Sequence, residues 1–423
     1  MPLFLILFFL NFNYLSSQYI EFPLNIEKQI INKENSPQKV IESLETINYY
    51  TLIKIGNPQQ TLKFYFTFNK QEIFICSEKM KDSVYKESKS NTYKLNYNIP
   101  KEFFNGVFNE GFLSLDEFYL SNITNNNKEI IQKFNFILAT SSIYVNYLPS
   151  QIGLSLPDYY SSTEYTFINQ LKEKKLINSI IWNIKILNNN KGTLVFGLLP
   201  HEYNKKNYNL NDFRNTNAIK VNTNLIWGLE FSNITIGRKN ILIKQNKCKI
   251  DINFGFIIQS YRIMEEYENI FFNKLIEQNI CFKSKYNNKY FFYCNKELKI
   301  KSIPSISFIN KELNYIFNID YKDLFIEIYD KYYFLILFSD SELEEECILG
   351  EIFIRNYQLI FDEKNKAIGL YIRKNNWSFI KILLLLILVI IIFIIGLYLG
   401  LLLKKKRKIR ANELEDEFIY ESK

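Results

Sequence analysis

The segment Ile348-Leu-Gly-Glu-Ile-Phe-Ile-Arg-Asn-Tyr-Gln-Leu-Ile-Phe-Asp-Glu-Lys-Asn-Lys-Ala-Ile-Gly-Leu-Tyr371 lies just before a long apolar run, and its reading decides the fold. Its alternation of apolar and polar residues predicts two strands, with Asp362, Glu363, Lys364 and Asn365 as the turn between them.

Beyond it, Ile382 to Leu403 is apolar apart from glycines and one Tyr. At about 1.5 Å per helical residue it can cross about 30 Å of hydrocarbon, so residues 379–403 are expected to form a transmembrane helix whose partner is the lipid bilayer. Lys404, Lys405, Lys406, Arg407, Lys408 and Arg410 follow directly, which places the tail 404–423 in the cytoplasm by charge asymmetry. At the other end, Leu3 to Leu10 is too short to span a bilayer, and Ser16-Ser17-Gln18 offers small residues for cleavage, so residues 1–17 read as a signal peptide. The expectation is a single-pass type I protein of the secretory pathway, at a plasma, vacuolar or endosomal membrane, with the body lumenal or extracellular.

A chain of 423 residues, 47% apolar and 17% aromatic, can bury a large core. Short β-branched and aromatic runs separated by Asn, Lys and Ser clusters predict a fold dominated by β-structure. The formal charge of +8 is concentrated in the C-terminal basic cluster, which argues against a nucleic-acid partner. Five cysteines, Cys76, Cys248, Cys281, Cys294 and Cys347, then face an oxidising compartment, and the odd number leaves at least one outside an internal pair. Cys281 and Cys294 flank a Tyr/Lys-rich segment and are the preferred disulfide candidate. No paired short Cys spacing exists and His201 is the only histidine, so no metal site or cofactor is expected, and the Ser-His and Cys-His schemes are largely removed. Sequons at Asn122 and Asn233 are glycosylation candidates, with Asn376 a poorer one beside the membrane.

Several stretches fall in a telling order. Tyr49, Ile53, Ile55, Gly56, Pro58 and Gln60 form one strand-and-turn; Gly111–Asp116, Ser150–Leu154, Ile180–Ile186 with Gly192–Gly197, Trp227–Ile236 and Ile303–Phe308 follow; Gly350, Phe353, Arg355, Tyr357, Phe361, Asp362 and Gly369 close the series. Together these resemble the pepsin-like aspartic proteases, from about residue 49 to 372, with Glu351 replacing the closing motif's usual Asp. The resemblance implies a bilobal fold: an N-terminal lobe over 49–205, a C-terminal lobe over 206–372 and a cleft between them. Residues 18–47 would be an N-terminal lead or short propeptide.

That family carries an Asp-Thr/Ser-Gly in each lobe, and the two carboxylates share a proton so that one activates water while the other polarises the scissile carbonyl. The register from Gly56 puts the first Asp position at Thr67, in Thr67-Phe68-Asn69. Counting from Cys248 puts the second at Asn253, in Asn253-Phe254-Gly255. No Asp in the chain is followed by Thr/Ser-Gly, and the flap Tyr position, counted back from Gly111, is Phe104. A Thr hydroxyl does not ionise at acidic or neutral pH and an amide cannot act as acid or base. The expectation is therefore a pseudoprotease without catalytic residues, binding a peptide or protein ligand in its cleft. The alternative is an active aspartic endopeptidase with a remodelled dyad that uses Asp251, one pleat before Asn253.

Overall fold

The computed structural model describes residues 18–28, 36–80, 84–98, 108–121, 129–142, 150–157, 163–187, 191–221, 224–241, 247–340, 347–372 and 377–421. Residues 1–17 and the positions Phe104, Asn122 and Asn376 lie outside them. The chain divides into two compact units, residues through Ile372 and Arg373–Lys423.

The first unit is dominated by β-structure, as its composition predicts. A sheet of 13 strands runs from Phe213–Asn217 at one edge to Lys94–Asn98 at the other, and sheets of nine and four strands carry most of the remaining strands. The N-terminal stretch is built into this body. Strand Ile20–Lys28 pairs with Lys191–Phe196 on one side and Ile47–Ile55 on the other, and Ile20, Phe22 and Leu24 are buried. Helix Pro37–Glu45 follows, with Ser36 capping its first turn and Pro37 supplying a helix-compatible φ at its start. It is held to the strand Cys281–Tyr286 and its neighbour by Gln38 to Ser284 (2.8 Å) and Glu45 to Lys289 (2.8 Å).

The closing segment differs in part from its alternation. The hairpin is present: Ile360–Asp362 pairs with Ala367–Tyr371 around a turn at Glu363–Lys366. Glu351–Asn356, however, is a short helix. Its first four residues, Glu351 to Ile354, are all buried, because this helix is enclosed by protein rather than exposing one face. Period alone cannot separate a short enclosed helix from a buried strand. The hairpin also joins the first half of the chain, since Phe361 pairs with Trp182. The two rings stack at 4.0 Å, and Trp227 and Phe68 pack edge-on to Phe361 at 5.1 and 5.4 Å. The expected boundary near residue 205 therefore separates chain segments whose strands share one sheet.

One strand pattern occurs twice. Gln60–Thr67 lies parallel to Ser150–Gly153, which is antiparallel to Ile73–Cys76, which is parallel to Glu129–Ser142. Lys247–Ile250 lies parallel to Cys347–Leu349, which is antiparallel to Ile257–Ser260, which is parallel to Ile336–Ser339. A glycine follows the same logic in each: a Cβ on Gly153 would stand 2.4 Å from Lys70 O, and one on Gly350 2.2 Å from Phe256 O. Only hydrogen in place of a side chain permits such approaches. The duplication puts Thr67 at the tip of its first strand and Asn253 just beyond the end of the corresponding one.

Two disulfides fall within the second copy and its neighbour. Cys281–Cys294 closes the hairpin of Cys281–Tyr286 and Lys289–Asn295. Cys248–Cys347 bridges directly opposed residues of two parallel strands. Cys76, buried, stands outside both.

The second unit is the helix Trp377–Glu421, whose stretch Leu383–Arg407 is long and apolar enough to cross a membrane. The leucines and isoleucines of that stretch are exposed.

Candidate functional site

Thr67 is buried, and its neighbours explain why the local chain holds as it does. Phe66 and Phe68 on either side are both buried, Phe68 within the Trp182–Phe361 cluster. The Thr67 carbonyl accepts from Leu154 N–H at 2.8 Å, and its hydroxyl oxygen accepts from Asn69 N–H at 3.3 Å. That hydroxyl caps its own turn. Asn69, where the first triplet would carry Gly, is exposed.

On the opposite side, residues 251–254 form a tight turn. Phe254 N–H donates to Asp251 O at 3.3 Å, and Asn253 N–H donates to Asp251 Oδ1 at 3.1 Å. The Asn253 amide then reaches two other segments, with Nδ2 donating to Phe66 O at 3.1 Å and to Ile47 O at 3.2 Å. Main chain reinforces the contact: Ile47 N–H donates to Asn253 O at 2.9 Å and Gly255 N–H to Glu45 O at 3.1 Å. The structure thus brings Asn253 against the residue preceding Thr67, and covers residues 253–255 with the chain's own segment 45–47. A carboxylate at 253 could make neither side-chain contact, because it has no N–H to donate.

Asp251 is the nearby carboxyl group. It is fully buried, and burial raises its pKa above the ordinary carboxylate range, with Lys249 beside it and Asn253 N–H pulling the other way. Lys249 Nζ lies 3.7 Å from Asp251 Oδ2 and donates to Asn69 Oδ1 at 3.1 Å, a second link across the two loops. Asp251 faces no second carboxylate in these contacts; its role here is to hold the turn that carries Asn253.

Glu351, the altered residue of the closing motif, forms a two-pronged ion pair with Lys28 at 3.0 and 3.2 Å and ties the N-terminal strand to the enclosed helix. Burial, with Glu351 close by, pushes the Tyr49 hydroxyl well above its usual range. His201 sits away from these groups, its Nδ1 2.6 Å from Tyr371 Oη. Among the described residues no group of three or more His, Cys, Asp or Glu side chains could hold a metal ion. Asn233 begins the strand Asn233–Ile236; it is partly buried, and its Oδ1 is enclosed without a hydrogen-bond partner.

The family profile described as eukaryotic aspartyl protease matches residues 48–371. The chain belongs to the eukaryotic aspartyl protease family. It is also similar to Plasmepsin VI of Plasmodium berghei (strain Anka), with 23% identity over an alignment covering 77% of this chain and 75% of that protein. Within the aspartyl protease family frame, the links missed in the sequence are Asn253 to Phe66 and Ile47, Lys249 to Asn69, and Cys248 to Cys347. Only the cysteine pair left a trace there, since Cys248 served as the anchor of the second register and Cys347 immediately precedes the closing motif.

Proposed function

We propose that this chain is a membrane-anchored aspartyl protease-family protein without proteolytic activity, whose cleft binds an extended peptide or protein segment. The observation that carries the reading is the Asn253 amide, spent on the Phe66 and Ile47 carbonyls where the family mechanism needs an ionisable acid. Thr67, at the other register position, supplies a hydroxyl already engaged in its own turn. A two-lobed β-body can hold an extended chain through main-chain pairing without any acid or base. The apolar stretch Leu383–Arg407 supports anchoring, and two disulfides support a body in an oxidising compartment of the secretory pathway.

The test is proteolysis by the purified full chain. Denatured protein substrates should stay intact from pH 3 to 7, and a pepstatin-type inhibitor should not bind. Pepstatin-sensitive turnover would overturn the proposal. The second reading, an active endopeptidase, is favoured by one observation, the buried Asp251 with its raised pKa. On that reading turnover would be present and Asp251→Asn would abolish it.

A further inference from the structure

We propose that a recess beside the first loop binds the carboxylate of an acidic side chain on an extended peptide. The inference rests on the peptide-binding reading above and names the ligand chemistry that the site would select.

The recess is lined on one side by Phe68 and Asn69, which follow Thr67, and on the other by Lys249 and Ile250, which precede Asp251. It offers about 590 Å³ of open space, solvent mouth included. Phe68, Trp227 and Ile250 contribute its apolar wall, while Asn69, Ser155 and Lys249 contribute polar groups. Trp227 is fixed there because its indole N–H donates to Leu154 O at 2.8 Å. Among the described residues Lys249 is the one charged residue in the lining, and no carboxylate lines it.

An ammonium has three N–H donors. Lys249 gives one to Asn69 Oδ1 at 3.1 Å; Asp251 Oδ2, at 3.7 Å, is near enough for charge attraction and too far for a hydrogen bond. The lysine side chain is 25% exposed and Asp251 is 0% exposed, so the acid lies behind the lysine and not in the recess. Asp251 offsets part of the lysine's charge from behind, and the recess side of the ammonium is left to a ligand. Among the described residues no further acceptor is bonded to Lys249, and its remaining donors suit a carboxylate, because a charge-assisted hydrogen bond is roughly twice as strong as a neutral one. The short apolar stem of a Glu side chain matches the Phe68–Trp227–Ile250 wall. A lysine in the same place would set two ammonium groups against each other.

The probes are fluorescent, N-acetylated and C-amidated ten-residue peptides that differ only in a central Glu, Gln or Lys, titrated by anisotropy against the full chain in detergent micelles at pH 7. The Glu peptide should bind roughly tenfold tighter than the Gln peptide, with the Lys peptide weakest. Lys249→Met should make the Glu and Gln peptides equal, and Lys249→Arg should keep the preference. Equal binding of Glu and Gln peptides to the unaltered protein overturns the inference and leaves peptide binding standing. Affinity that follows a free C-terminus and not the central Glu overturns the side-chain assignment. If no peptide binds, the peptide reading fails, and glutarate becomes the probe of the recess itself. Stabilisation by glutarate that is lost in Lys249→Met supports the carboxylate site, and its absence overturns it.

Discussion

Asn253→Asp is expected to destabilise this chain. The change removes the two donated hydrogen bonds to Phe66 O and Ile47 O, at 3.1 and 3.2 Å, and sets a carboxylate before two carbonyl oxygens. It also brings that carboxylate near Asp251, which already accepts from the residue-253 N–H. A net hydrogen bond is worth about 1 kcal/mol, and leaving a buried group unpaired costs about 1–3 kcal/mol. The expected loss at pH 7 is therefore about 3 kcal/mol, several degrees in melting temperature. Its pH dependence follows from linkage. The new carboxyl group has a folded pKa raised above its unfolded value of about 3.9. Below the unfolded value both states are protonated and the penalty is smallest; it grows as pH rises and is complete above the folded pKa. Asn253→Ala loses the same bonds without the charge, so its cost should hardly vary with pH. Urea unfolding at pH 4 and pH 7, followed by the fluorescence of Trp182 and Trp227 in the neighbouring aromatic cluster, measures both variants. An Asp variant as stable as the parent at pH 7, or a penalty equal at both pH values, would refute the donor argument.

Three further outcomes are expected. The Cys248–Cys347 bridge closes a loop with a separation of 99 residues, against 13 for Cys281–Cys294, so Cys347→Ser should cost about 2–5 kcal/mol in urea unfolding, and Cys294→Ser less. Glu363 is raised from 4.5 to about 7, chiefly by burial, with its bond from Asn169 opposing. Its stabilising contribution is thus present in full below about pH 4.5 and is lost as pH rises to about 7. Glu363→Gln should flatten that slope and stabilise the protein above pH 7 by about 1–2 kcal/mol, partial exposure being discounted, as read from unfolding midpoints at pH 5 and 8. Burial pushes the Cys76 thiol up to about 12, so maleimide should leave it unlabelled in the native chain at pH 7 and label it after denaturation.

The β-dominated architecture was legible in the sequence because its signals are local. Strand alternation, Gly-Asn-Pro at 56–58 and the hairpin turn after Phe361 depend on near neighbours, and so does the apolar run that forms the C-terminal helix. The register that points to Thr67 and Asn253 was local too, measured from Gly56 and Cys248. What those residues do was not. The donors at Asn253 find acceptors 187 and 206 positions away, and Lys249 finds Asn69 across 180. The Glu351–Asn356 helix eluded the pattern for a related reason, since enclosure by distant strands buried consecutive residues and erased the period that marks a surface helix. The sequence by itself determined the β-dominated family fold, and its register carried the expectation that Thr67 and Asn253 stand at the two acid positions. Only the tertiary structure decided what those two residues meet, because which acceptor a partly buried amide finds is set by chain segments that folding, not sequence proximity, brings within hydrogen-bond distance.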